Sequence, residues 1–115
     1  MKLYGIPNCN TVKKARIWLD ENNVPYTFHD FKKLGLTQTK ANAWLAQQPW
    51  EKLVNRAGMT WRNLCDETKA SITNSSSACA LMIEKTSVIK RPILEKDDVI
   101  LCIGFHEDTY KEIVQ

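Results

Sequence analysis

KLYGIPNCNTVKKARIWLDENNVPYTF, residues 2–28, carries the architecture in small. Residues 2–6 form a short strand candidate, and Pro7-Asn8 supplies the turn chemistry that ends it. From Asn10 onward, Val12, Ala15 and Leu19 recur at helical spacing until Asn22-Asn23 breaks the pattern. Residues 24–28 then alternate large apolar residues with others, which predicts a second strand. Two strands joined by a helix over so short a span predict a right-handed crossover with the strands parallel in one sheet.

Beyond this opening the pattern changes. Over residues 33–85 alternation disappears and helix signals repeat. Thr37 or Thr39 can cap a helix running up to Pro49, Thr60 a second through Leu64 and Cys65, and Asn74-Ser75 a third through Ala78, Leu81 and Met82. Ser75-Ser76-Ser77 fits the amino-terminal turn of that third helix. No Ser/Gly-rich linker borders the segment, so it is expected to be an insertion. Residues 87–94 and 99–103 are strand candidates joined by a polar Glu-Lys-Asp-Asp turn suited to an antiparallel hairpin, and a short closing helix follows. The expected protein is a single α/β domain with a mixed sheet, its core at about 1–32 and 86–115 and its helical insertion at about 33–85.

Composition narrows the function classes. With 115 residues, 43% hydrophobic and 25% charged, the chain has the profile of a soluble globular domain large enough to be held by its core. Its apolar runs at 78–83 and 99–103 fall far short of the ~20 residues of a membrane span. The amino terminus lacks a secretory pattern, so a cytoplasmic location is expected. The net charge of +3 is spread along the chain, with no basic stripe and no nucleic-acid-binding signature. Cys9, Cys65, Cys79 and Cys102 show no structural-zinc spacing, and His29 and His106 stand apart from them, so free thiols and no metal are the expectation.

Cys9 falls between the first strand and the start of the first helix, where unpaired N–H groups and the helix dipole favour an anion. Counted at about 100° per residue, Lys13, Arg16 and Asp20 lie within about 40° of Cys9 around the helix, away from the apolar strip of Val12, Ala15 and Leu19. Cations on that strip would lower the thiol pKa further and make Cys9 reactive. A buried, inert cysteine satisfies the same placement, because free cysteine is among the most buried residue types. Proline in Arg91-Pro92 lacks a donor and restricts Arg91 to extended backbone, which predicts an edge or a bulge there. Arg56, between two insertion helices, taken alone has the pattern of a surface arginine.

Taken together, residues 4–15 (YGIPNCNTVKKA), Leu53-Val54-Asn55-Arg56 with Thr60-Trp61-Arg62, residues 89–94 (IKRPIL) and Gly104-Phe105 resemble the glutaredoxin-linked arsenate reductase (ArsC)-like family, closest to its YffB branch and near the Spx regulators. The resemblance covers nearly the whole chain. It implies a thioredoxin-like fold with a helical insertion, Cys9 as the thiol nucleophile and Pro92 as a cis proline facing it. It further implies a glutathione- or oxyanion-binding set of Asn8, Thr11, Lys13, Arg56, Arg91 and Pro92, with guanidinium forks suited to such anions. Val12 stands where Spx-type proteins carry a second cysteine, so no disulfide can form within the motif. The last strand lacks the further arginine of arsenate reductases, so little or no arsenate turnover is expected.

The resulting expectation is a glutathione-dependent thiol oxidoreductase with glutathione as co-substrate and an oxidised thiol or disulfide as substrate. Cys65, Cys79 and Cys102 are expected to be packing residues. The alternatives are an arsenate reductase proper or a Spx-like regulator that binds RNA polymerase. Glutaredoxin or RNA polymerase is the protein partner these readings carry, and no nucleic acid or membrane is expected. A monomer is expected.

Overall fold

The computed structural model describes residues 1–115. Along the chain run β1 (Lys2–Gly5), α1 (Asn10–Glu21), β2 (Thr27–Asp30), α2 (Phe31–Leu34), α3 (Gln38–Gln47), α4 (Trp50–Leu53), α5 (Met59–Arg62), α6 (Asp66–Ser71) and α7 (Ser75–Glu84). A 3-10 turn at Thr86–Val88 leads to β3 (Ile93–Lys96), β4 (Val99–Ile103) and α8 (Glu107–Val114). The chain divides into two compact units, one of residues 1–34 and 91–115, the other of residues 35–90.

The first unit holds a four-stranded sheet in the order β2-β1-β3-β4. β1 pairs parallel with β2, as the helical crossover requires, while β1–β3 and β3–β4 are antiparallel. Alternation gives each strand two faces. Leu3, opposite Leu94, joins Ala15, Trp18, Leu19, Cys102 and Tyr110 in one buried cluster. That cluster fixes α1 and α8 to the sheet, each fully buried leucine contributing roughly 1.5–3 kcal/mol. Trp18 and Phe105 meet the Tyr110 ring edge-on, with centroids 5.6 and 4.9 Å away. On the opposite face Tyr4 donates to Glu95 Oε1 at 3.0 Å, and its ring lies 4.7 Å from that of His29. This is a mixed α/β, thioredoxin-like fold carrying a helical insertion.

The second unit is helical. Thr37 caps α3 by accepting from the Lys40 N–H, and Asn74 caps α7 in a reciprocal box with Ser77. α3 packs against α7, and the buried Ala41, Trp44, Leu53, Val54, Ala78, Leu81 and Met82 form its interior. An isolated bridge pairs Val54 with Ile89, flanked by the Asn55 N–H to Val88 and Lys90 N–H to Leu53 bonds of 2.7 and 2.8 Å.

Several boundaries differ from the sequence expectation for identifiable reasons. Residues 24–26 do not begin the second strand. Asn23 turns at φ 56°, Pro25 has no N–H to pair, and the ladder starts where the Thr27 N–H reaches the Met1 carbonyl. Pro92 lies outside β3, which begins one residue later and pairs on both sides, so the predicted edge or bulge at this proline is replaced by a strand start. The β3–β4 turn is shorter than expected. Asp97 and Asp98 alone make it, both at positive φ, which aspartate tolerates better than most residues. Thr60 caps nothing. Gly58 precedes α5, and the Thr60 hydroxyl donates to Ser87 Oγ at 2.9 Å.

Tyr110 is fully buried, and no protein atom accepts or donates at its hydroxyl. An unpaired buried hydroxyl costs folding free energy, so Tyr110→Phe is expected to raise stability in urea by about 1 kcal/mol at neutral pH. Burial, with the neighbouring Cys102 as a lesser cause, pushes the Tyr110 pKa up. In the unfolded chain the phenol ionises near pH 10, so above that pH the wild type loses stability and the advantage of Tyr110→Phe widens. A variant less stable than wild type in both conditions contradicts this account.

Candidate active site

Cys9 stands at the N-cap of α1 with extended backbone (φ −105°, ψ 125°), and its carbonyl accepts the Lys13 N–H at 2.9 Å. Gly5 makes this placement possible. A Cβ there would meet Val12 Cγ2 at 2.7 Å, so only glycine lets the end of β1 lie so close to the first turn of α1. The sequence had marked Gly5 only as part of a motif.

The Cys9 thiol is half-buried. Burial pushes its pKa up, but the N–H of Val12, the Arg91 guanidinium and the N–H of Thr11 together outweigh burial and hold it below the ordinary thiol value. No formed capping bond joins the sulfur to the helix. The two amides act as the partial positive charge of an open helix start, and Arg91 adds both a hydrogen bond and a full charge. Cys9 is therefore set up for the thiolate rather than as an inert apolar residue.

The cation facing the sulfur differs from the sequence expectation. Arg16, placed on the charged strip of α1, turns its Nε to the Tyr26 hydroxyl at 3.2 Å and its guanidinium carbon to the Phe28 ring at 4.1 Å. Lys13 is exposed, and the Arg91 guanidinium is the cation that bears on the thiol, so helical angle alone did not identify it. Arg91, some eighty residues along the chain, fills that role from the segment just before β3. Its peptide bond to the buried Pro92 is cis.

The remaining candidates separate. Thr11 contributes its main-chain N–H, while Asn8 is exposed in the turn just before Cys9. Arg56 is exposed on the second unit, where its guanidinium carbon lies 5.2 Å from the centroid of the Trp50 ring. Cys79 and Cys102 are buried as expected. Cys65 departs from the expected packing role. It is exposed at the start of α6 with Sγ 3.1 Å from Thr68 Oγ1, and hydrogen bonding, first from the Thr68 side chain, holds its pKa below the usual range. No group of three His, Cys, Asp or Glu side chains is arranged to hold a metal ion, and no helix is long and apolar enough to cross a membrane.

This geometry predicts that Cys9 alkylates with a pH midpoint below the ordinary thiol value of ~8.5, and that Arg91→Ala raises the midpoint by about one pH unit. Peptide-resolved mass mapping measures it without interference from Cys65. A midpoint indifferent to Arg91 contradicts the assignment.

Comparison with known proteins agrees with the topology. The ArsC family model matches residues 4–113. A solved structure named YffB protein superposes with a TM-score of 0.90 at 41% identity, covering 96% of each chain. The solution structure of an arsenate reductase (ArsC) related protein from Brucella melitensis gives 0.77 at 42% identity, covering 99% of this chain and 93% of the other. Global transcriptional regulator Spx 1 of Oceanobacillus iheyensis is 23% identical over 97% of this chain and 85% of its own. The chain belongs to the ArsC family, within the group that includes YffB-like and Spx-related proteins.

Proposed function

We propose that the protein is a glutathione-dependent thiol oxidoreductase working through Cys9 alone. The observation that carries this reading is the half-buried Cys9 sulfur held toward its anion by two helix-start amides and Arg91. In the proposed cycle the Cys9 thiolate attacks one sulfur of a substrate disulfide. A Cys9–S bond forms, the substrate S–S bond breaks, and the second sulfur leaves as a thiolate. Glutathione thiolate then attacks the mixed disulfide at the substrate sulfur and releases Cys9. A second glutathione completes the exchange, so the substrate gains two electrons and two glutathiones become one glutathione disulfide.

A second thiol is not supplied by position 12, which is Val12, and Cys79 and Cys102 are buried. An external thiol is the economical resolving partner. Arg91 is suited to a glutathione carboxylate as well as to the thiolate, and Asn8, Thr11 and Lys13 flank the position a bound tripeptide would take.

The relatives' names favour two other readings. ArsC-related names favour arsenate reduction, and the full-length likeness to Spx 1 favours a regulator that docks on RNA polymerase. The wholly apolar stretch of β4, Val-Ile-Leu-Cys-Ile, offers no arginine for arsenate. Incubation with glutathione disulfide separates the readings. The oxidoreductase forms one adduct on Cys9 in preference to the exposed Cys65, glutathione releases it, and Cys9→Ser loses both adduct and turnover. Arsenate consumption that requires Cys9 supports arsenate reduction instead. Binding of RNA polymerase that survives Cys9→Ser, with no preference for Cys9 in labelling, supports the regulator.

A further inference from the structure

Gly104 and Cys102 lie outside the immediate surroundings of the Cys9 thiol, yet Gly104 bonds to the segment from which Arg91 reaches it, and Cys102 bonds to Gly104. Gly104, one residue beyond β4, donates its N–H to the Pro92 carbonyl at 2.8 Å. That bond continues the β3–β4 ladder past the Ile93–Ile103 pair and fixes the backbone directly after Arg91. Gly104 holds φ at +82°, a value that side chains disfavour, and a Cβ there would stand 3.4 Å from His106 Nε2. One residue before β4 ends, the Cys102 thiol donates to the Gly104 carbonyl at 3.3 Å. Both polar groups of Gly104 are therefore engaged, one by Pro92 and the other by a buried sulfur.

We propose that the Cys102–Gly104 turn is a positioning element for the nucleophile, holding the Pro92 carbonyl and through it the placement of Arg91 against Cys9. Cys102 is in this account a structural hydrogen-bond donor and not a second redox thiol. Its chemistry suits that role. Burial pushes the Cys102 pKa up, with the His106 N–H acting the other way, so this thiol holds its proton more strongly than Cys9 does. Cys102 in turn acts on Tyr110 of α8, whose phenol is pushed up first by its own burial and then by Cys102. The inference rests on the reading of Cys9 as nucleophile and adds to it the residues that set its reactivity from a distance.

A double-mutant cycle tests it on the full chain, reading the pH midpoint of Cys9 alkylation by peptide mapping. Gly104→Ala is expected to raise the midpoint by about half to one pH unit, and to add nothing further in the Arg91→Ala background. Cys102→Ala should raise it in the same direction, while Cys102→Ser, which restores a donor, returns most of the shift. This pair keeps the test available if Gly104→Ala fails to fold. A merely structural role would lower the melting temperature and leave the midpoint in place. An unchanged midpoint in Gly104→Ala and Cys102→Ala, or an undiminished shift without Arg91, overturns the proposal. Absence of a glutathione adduct on a Cys9 whose midpoint is low and sensitive to Gly104 overturns the functional reading and leaves the positioning role standing.

Discussion

The contact between one sulfur and one guanidinium, assembled from opposite ends of the sequence, is the constraint on which the rest depends. Cys9 and Arg91 approach because β1 and β3 are adjacent antiparallel strands, so the end of β1 and the start of β3 lie at the same end of the sheet. Tyr4 sits opposite Ile93, so the chain leaving β1 toward Cys9 and the chain entering β3 from Arg91 arrive side by side. Parallel pairing of these two strands would put the residues at opposite ends. The hydrophobic cluster of Leu3, Leu94, Ala15, Leu19 and Tyr110 therefore maintains the surroundings of Cys9 as well as stability, because it holds sheet and helix at a fixed spacing.

Glycine acts at two points in this assembly for different reasons. At Gly5 the demand is space, since the first turn of α1 leaves no room for a side chain. At Gly104 the demand is backbone conformation, since its φ lies where side chains are strained. The first sets where the helix begins relative to the strand, and hence where its free amides converge. The second closes the hairpin beyond β4 and governs the far side of the same site. The setting of the Cys9 sulfur involves two backbone junctions as well as side chains.

Much of the fold was legible because its signals are local. Val12, Ala15 and Leu19 mark α1, Asn74 and Ser75 mark the start of α7, and the apolar run at 99–103 marks β4. Strand ends were less legible, because Pro25 and Pro92 decide them through missing donors in pairings that only the sheet reveals. The position of Cys9 between strand and helix could be read from the sequence, whereas the cation beside it could not. Angular spacing on α1 nominated Lys13 and Arg16, but Lys13 is exposed and Arg16 finds the Tyr26 hydroxyl and the Phe28 ring. Arg91 entered through the family resemblance of its motif, not through any local pattern. Cys65 was misjudged for a related reason. A cysteine on a short helix reads as packing, but at an N-cap position it faces outward.

The central claim is that helix-start amides and Arg91 outweigh burial and hold the Cys9 thiol below the ordinary thiol value. Its most direct test is an NMR titration of the Cys9 Cβ carbon shift in the full chain, which follows ionisation without any reagent or question of access. The account predicts a single transition below the ordinary thiol value of ~8.5, with the buried Cys102 still protonated above it. A Cys9 transition at or above that value would contradict it.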